Sequence, residues 1–225
     1  TSEQAENAMI VIEQTAEKLN VPLVKSESVN LNVTFETLEG SDFEYNGRKI
    51  HINLAGKHQL ENAKTALAAI ESVRQRGLLK ITDDDISVGF SKAVNPARFE
   101  LLSKNPVVIL DGAHNPNGIE ALKNAVRNFL DGKKITCVMG MLADKDIDSS
   151  IKLLDGVFET VYTVPVDNPR AISSKELAKK CKGYFKNITS FDSAEKAFDG
   201  AFENAKKNGG AVVICGSLYL AGEIR

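Results

Sequence analysis

Several short segments of the 225-residue chain combine side-chain types that can do chemistry. The densest is Asp111-Gly112-Ala113-His114-Asn115-Pro116. A carboxylate at Asp111 can accept hydrogen bonds from a ribose diol, and Gly112 lets the backbone pass close to a ligand. Asn115 and Pro116 suit the start of a helix, whose positive end would favour an anion beside His114. The competing reading is a turn and an ordinary helix cap. It accounts for Asn115 and Pro116 better than for Asp111 and His114, since histidine occurs only three times in the chain. In His58-Gln59-Leu60-Glu61-Asn62, the Asn62 amide lies one helical turn beyond His58. It offers a donor and an acceptor together, as an adenine edge requires, although polar residues in a first turn are also common caps. Arg98 can clamp a phosphate bidentately or form a surface salt bridge. Asp144-Lys145-Asp146 is either a charged site group or the acidic start of a helix, and Arg170, in Asp167-Asn168-Pro169-Arg170, either receives a substrate carboxylate or solvates a loop. Ser217, in Gly216-Ser217-Leu218-Tyr219, supplies a hydroxyl at a ligand edge or belongs to a tight turn.

The elements that must position these groups are legible from hydrophobic periodicity. Apolar residues at Ala8, Met9, Ile12, Ala16 and Leu19 follow one helical face, and Val21 to Val24 reads as a short strand. From Leu31 to Leu54 the pattern is strand-like, and Asn46-Gly47 is a two-residue hairpin turn. A helix is expected from about His58 to Arg76, stopped by Gly77, and another from about Thr82, whose hydroxyl can cap Asp83-Asp84-Asp85. After Asn95-Pro96 the organisation changes. Val107–Leu110, Ile135–Met139, Val157–Val164, Val212–Cys215 and a weaker Phe185–Phe191 read as strands. Helical stretches at 119–130, 147–154, 174–181 and 194–205 separate them. Continuous apolar strands alternating with helices predict an α/β fold with a doubly wound, mostly parallel, Rossmann-like sheet. In such a sheet, ligands bind beyond the carboxyl ends of the strands, which is where Asp111, His114, Lys145, Arg170 and Ser217 fall.

Composition bounds the class. The chain is 43% hydrophobic and 26% charged, which excludes a disordered or collagenous protein. A net charge of −2 gives no general attraction to nucleic acid or to an anionic membrane, so neither is an expected partner. No apolar run approaches the roughly 20 residues of a membrane span, and no signal peptide is evident, so a cytoplasmic location is expected. Cys137, Cys181 and Cys215 form no metal-ligand spacing and read as buried small hydrophobes, so no metal site is expected. The sequence contains no G-x-x-x-x-G-K-[ST], G-x-G-x-x-G or G-x-S-x-G motif. It begins Thr1-Ser2-Glu3 rather than with Met, and reads as something cut from a longer protein.

HQLENAKTALAAI, ARFELL, LDGAHNPNGIEAL, GMLADKD and GSLYLAGEIR, in this order and spacing, resemble folylpolyglutamate synthase and the bifunctional dihydrofolate synthase of the Mur ligase superfamily. The resemblance covers essentially the whole chain. It implies an ATP-dependent ligase that adds L-glutamate to dihydropteroate or folates through an acyl phosphate, with ATP and Mg²⁺ required by the intact enzyme. It implies that Asn62 reads adenine, Arg98 contacts the ATP phosphates, Asp111 holds the ribose, and His114 with Ser217 binds the incoming glutamate, with His114 in the catalytic role. Arg170 is a further glutamate-binding candidate; His58, Lys145 and Asn115 are carried without a fixed role. By the same resemblance, residues 1–95 are the later part of an α/β ATPase domain containing the β-hairpin. Residues 96–225 are then the C-terminal glutamate-ligase domain. The glycine-rich ATP loop and the metal ligands belong to the missing N-terminal part, so this chain is expected to be inactive alone. Ala97 departs from the glycine usual in the family before the arginine, and DNPR resembles instead a motif of the peptidoglycan-forming Mur ligases. Two alternatives stay open: a non-catalytic nucleotide- or glutamate-binding module, and a peptidoglycan-type amino-acid ligase.

Overall fold

The computed structural model describes residues 1–225, which fall into two compact units, Thr1–Val94 and Asn95–Arg225. In the first unit, helix α1 (Glu6–Lys18) is followed by a 3₁₀ turn at Ser26–Ser28 and then by strands β1 (Asn32–Thr37), β2 (Gly40–Tyr45) and β3 (Arg48–Ile52). The three strands form an antiparallel meander. The β2–β3 turn is Asn46-Gly47, with φ of 51° and 77°, as a two-residue hairpin loop of the twist-compatible kind requires. Helices α2 (Lys57–Gln75) and α3 (Asp83–Ser91) complete the unit. Phe43, Ile50 and Ile52 of the sheet are buried with Leu60, Ala63 and Leu67 of α2 and with Ile86 and Phe90 of α3. The Phe43 and Phe90 rings meet edge to face at 5.9 Å. Thr82 and Asp85 form a reciprocal capping box at the start of α3. Val21–Val24 is not a strand: it has no ladder partner, and Val21 and Val24 are exposed, so the apolar run has no sheet to join.

The second unit is a six-stranded sheet in the order β4-β5-β9-β6-β7-β8. Its strands are β4 (Glu100–Lys104), β5 (Val107–Leu110), β6 (Ile135–Met139), β7 (Thr160–Thr163), β8 (Asn187–Ser190) and β9 (Ala211–Cys215). All neighbours are parallel except β4, which pairs antiparallel with β5 at the edge. Helices α4 (Pro116–Phe129), α5 (Ile147–Leu153), α6 (Ser174–Cys181), α7 (Ala194–Asn208) and α8 (Leu218–Ile224) alternate with the strands. Every residue of β6 and β9 is buried, the pattern of strands covered on both faces. On one face Val138, Val212 and Ile214 pack with Ala194, Ala197, Ala201 and Ala205 of α7 and with Leu220 of α8. Small residues three and four apart let α7 lie close to the sheet.

Five helices of this unit begin in the same way. Asn115, Asp146, Ser173, Ser193 and Ser217 each cap the helix that follows by accepting a hydrogen bond from a first-turn backbone N–H. Each cap is worth about 1 kcal/mol and fixes where the preceding strand-end loop hands over to its helix. Strand β9 lies between β5 and β6, and its helix α8 shares a core with α7, whereas α5, which follows β6, contacts α4. Connections leaving adjacent parallel strands in opposite directions open a crevice at their carboxyl ends.

Candidate functional site

That crevice contains a cavity of about 130 Å³ lined by His114, Leu142, Lys145, Arg170, Ser217, Leu218 and Tyr219. They arrive from the segments after four strands: His114 after β5, Leu142 and Lys145 after β6, Arg170 after β7, and Ser217 to Tyr219 after β9. Four residues singled out from sequence, His114, Lys145, Arg170 and Ser217, therefore meet around one space.

The loops are held by main-chain pairing. Ala143 N–H donates to the Arg170 carbonyl at 2.7 Å, and Ile172 N–H to the Met141 carbonyl at 3.1 Å. These bonds place Arg170 beside Asp144, whose Oδ2 accepts from the guanidinium at 3.1 Å and lies 3.8 Å from the Lys145 ammonium. Asp146, the other acid of that phrase, is used as the α5 cap. The Asp-Lys-Asp phrase thus supplies both a cavity-lining residue and a helix cap. Two cations at the cavity share one carboxylate, leaving donor capacity for a carboxylate-bearing ligand.

His114 Nδ1 lies 2.8 Å from the Gly112 carbonyl. A carbonyl only accepts, so Nδ1 carries the proton and Nε2 is the ring nitrogen left for a ligand. Ser217 is 3% exposed, and its Oγ accepts from Tyr219 N–H at 3.1 Å. Its own hydroxyl proton remains for a second partner. Gly216, at φ 106°, makes the turn that brings Ser217 to the cavity. A Cβ there would stand 2.5 Å from the Gly140 carbonyl oxygen, so only glycine fits.

Asn115 and Asp111 are used mainly by the fold. Asn115 Oδ1 accepts from Gly118 N–H at 2.8 Å, which makes it a cap. Asp111 is 6% exposed, and its two oxygens accept main-chain N–H bonds from Ala113 at 2.7 Å and Phe99 at 2.8 Å. Burial raises its carboxyl from 3.8 to about 6, against the lowering effect of those two N–H groups, Arg98 and His114. A ribose hydroxyl would have to use the lone pairs that remain.

Arg98 is exposed, between two residues in the left-handed region, Ala97 at φ 55° and Phe99 at φ 51°. Three bonds pin this turn: Ala97 N–H to Glu100 Oε2, Gly112 N–H to the Ala97 carbonyl, and Phe99 N–H to Asp111. The backbone at Ala97 is one that glycine adopts at least cost, which explains why a glycine suits this position.

Asn62 and His58 belong to the first unit, on α2. Asn62 is exposed, and its Nδ2 donates to Gln59 Oε1 at 3.1 Å. His58 is half-buried in the first turn of the same helix. Gln59 and Leu142 take part in these arrangements without having been assigned roles from sequence. The i, i+3 spacing of Gln59 and Asn62 was the available signal.

No group of three or more His, Cys, Asp or Glu side chains in the chain could hold a metal ion, and Asp111 has both oxygens engaged. This donor set does not fit Mg²⁺. No helix is long and apolar enough to cross a membrane.

A dihydrofolate synthase/folylpolyglutamate synthase of Escherichia coli K12 is 34% identical over 163 residues, covering 72% of this chain and 36% of the relative. A folylpolyglutamate synthase of Lacticaseibacillus casei is 32% identical over 209 residues, covering 92% and 45%. The structure of a Mycobacterium tuberculosis folylpolyglutamate synthase complexed with ADP and AMPPCP superposes with a TM-score of 0.87 at 25% identity, covering 99% of this chain and 53% of that one. The chain thus spans about half the length, or less, of the proteins it resembles, and covers their C-terminal portion. The family described as Mur ligase, glutamate ligase domain, matches residues 97–218, more than half the chain and nearly all of the second unit. With its parallel sheet and the site at its carboxyl edge already in place, that match means that the chain belongs to the Mur ligase family through its glutamate ligase domain.

Proposed function

We propose that this chain is the amino-acid-binding part of an ATP-dependent ligase that adds L-glutamate to dihydropteroate or folates. Residues 1–94 serve as the later part of the ATPase domain, and residues 95–225 as the glutamate-ligase domain. The observation that carries this reading is the small cationic cavity shared by His114, Lys145, Arg170 and Ser217. Glutamate brings two carboxylates and an ammonium. Arg170 and Lys145, both lining the cavity, suit the carboxylates.

In the reaction, a pterin-linked carboxylate attacks the γ-phosphorus of ATP and ADP departs. The resulting acyl phosphate is attacked by the glutamate amine, and the acyl–oxygen bond breaks to release phosphate. The attacking nitrogen must be uncharged and aligned. With Nδ1 turned to the Gly112 carbonyl, Nε2 of His114 is the ring nitrogen in the cavity positioned to take its proton, and Ser217 Oγ steadies the bound amino acid. Asn62 reads the adenine, Arg98 meets phosphate oxygens, and Asp111 contacts the ribose while holding the Arg98 turn. The donor set of this chain does not itself fit a divalent ion. With no glycine-rich phosphate loop of its own, the chain binds but does not turn over.

The test has two arms. In the intact parent enzyme, Arg170→Ala and Lys145→Ala are each expected to raise the glutamate KM about 10- to 100-fold, the worth of a charged hydrogen bond, with the ATP KM unchanged. An unchanged glutamate KM would remove the cavity from the mechanism. The isolated chain, supplied with ATP, glutamate and dihydropteroate, is expected to release no phosphate; turnover there would overturn the division of labour.

A further inference from the structure

The turn carrying Arg98 is built against the local preference of its residues. Ala97 and Phe99 both lie in the left-handed region, at φ 55° and 51°, which a residue with a Cβ adopts at a cost. Such a backbone persists only where its surroundings over-determine it. Both flanking side chains are anchored inward: Ala97 belongs to the core cluster of Leu220 and Ala221, and the buried Phe99 ring lies 5.8 Å from that of Phe129. Arg98, between them, is exposed. Two carboxylates close the main chain of the turn. Asp111 takes the Phe99 N–H, and Glu100, the first residue of β4, takes the Ala97 N–H on Oε2 at 2.8 Å. The proposed reaction gives Glu100 no other task. A carboxylate two residues from a phosphate-binding arginine opposes the charge of a nucleotide, so a neutral residue would serve better there unless its bond to Ala97 matters more. Its other oxygen is also held: Oε1 accepts from Arg225 Nε at 3.2 Å, which pairs the charge and fixes the orientation of the carboxylate.

We infer that Glu100 is a positioning residue for nucleotide binding: it closes the left-handed turn at its first residue and so keeps Arg98 presented to the phosphates. The inference rests on the proposal that Arg98 meets phosphate oxygens. Without an acceptor at position 100, the N–H of the buried Ala97 is left unpaired. The other two bonds of the turn hold the Ala97 carbonyl and the Phe99 N–H, and neither serves this group. The strained turn then relaxes until the N–H reaches water. A turn that is only partly in its presenting conformation binds phosphate with an apparent dissociation constant raised by the reciprocal of the populated fraction. A hydrogen bond to an ionised acceptor shifts such an equilibrium about tenfold or more. Alanine at position 97 makes this chain depend on the bond more than a chain with glycine there would, since glycine adopts φ 55° without strain.

The experiment compares Glu100→Ala, Glu100→Met and Glu100→Gln. Residue 100 pairs with Leu110 of β5 through its main chain, so all three are expected to fold as the parent does, checked by circular dichroism. Glutamine keeps one acceptor, and the Arg225 side chain, 51% exposed, can turn to water and leave that oxygen to Ala97. In the whole chain without nucleotide, the Ala97 amide proton is expected to exchange about tenfold faster, or more, in the alanine and methionine variants, and within about threefold of the parent in the glutamine variant. Equal exchange in all four proteins would overturn the holding role. In the intact parent enzyme, the alanine and methionine variants are expected to raise the ATP KM about tenfold and the glutamine variant less than about threefold, each with the glutamate KM unchanged. A general loss of folded enzyme would lower the apparent kcat and leave both KM values alone. In an Arg98→Ala background, Glu100→Ala is expected to add less than about a twofold effect, because the group it positions is gone. If Arg98→Ala raises the ATP KM while Glu100→Ala has no effect alone or adds its full effect in that background, the positioning role fails and the phosphate role of Arg98 stands. If Arg98→Ala leaves the ATP KM unaltered, the phosphate role itself fails, and this inference falls with it.

Discussion

Replacing Asp111 with asparagine separates two opposing effects on one buried carboxylate. Burial raises the Asp111 carboxyl from 3.8 to about 6, while the N–H groups of Phe99 and Ala113 favour its charged form. At about 1.4 kcal/mol per tenfold change in proton affinity, the net rise is worth about 3 kcal/mol. The folded state binds the proton more tightly than the unfolded chain does. The contribution to stability is therefore complete below about pH 4 and is lost as the pH rises through about 6. Asparagine does not titrate, but it must turn its NH₂ towards one of the two main-chain donors, leaving that N–H unpaired at a cost of about 1–3 kcal/mol. At pH 4.5 the parent is expected to be more stable than Asp111→Asn by about 1–3 kcal/mol. At pH 7.5 the ionised parent has lost about 2 kcal/mol relative to pH 4.5, so the two are expected to lie within about 1 kcal/mol of each other. Urea unfolding with pulsed hydrogen exchange on peptides from β5, β6 and β9 reads the second unit separately from the first. A parent-minus-variant difference that stays constant from pH 4.5 to 7.5 would refute the reasoning. A difference that grows in favour of the parent with pH would mean that the two N–H bonds outweigh burial.

Two further substitutions and a labelling experiment test the same region. Gly216→Ala forces a Cβ to 2.5 Å from the Gly140 carbonyl oxygen and 2.9 Å from Met141 Cγ at φ 106°. A loss of about 2–4 kcal/mol in urea unfolding is expected, and a loss below about 0.5 kcal/mol would contradict the packing described. Ala97→Gly relieves a left-handed alanine at φ 55° but removes a buried methyl group and loosens the unfolded chain, so a net change within about 1 kcal/mol of zero is expected in the same assay. The free cysteines Cys137, Cys181 and Cys215 are all buried. Burial raises the Cys137 thiol well above its ordinary range and the Cys181 thiol to about 12. Thiol reagents at neutral pH are expected to titrate none of them in the folded chain and all of them in denaturant; fast labelling of any thiol in the folded chain would contradict the burial.

The second unit was legible in the sequence because its strands are short β-branched runs bounded by helical stretches, so Val107–Leu110 and Ile135–Met139 fall where they were expected. Strand β4 was not, because its half-exposed Glu100 to Lys104 owes its state to pairing with β5 at a sheet edge, a contact no local pattern announces. Helix α8 was hidden for a different reason: seven residues are too few for a period to emerge, and what makes it a helix is the Ser217 cap and the burial of Leu220 and Ala221. The position of β9 between β5 and β6 was likewise beyond local reasoning, and that insertion is what brings Ser217 to His114 and Arg170.

The same contrast governs the site residues. Lys145 and Arg170 reach one cavity because every loop after a parallel strand opens on one edge of the sheet, so polar residues in those loops converge whatever the sheet order. Asp111 and Asn115 occupy the same edge, but their side chains close main-chain hydrogen bonds that a loop needs before it can present anything. A polar residue at such an edge therefore has two claims on it, and spacing alone does not decide between them. At Asp111 both claims act through one carboxylate: the bond that pins Phe99 also fixes the turn carrying Arg98.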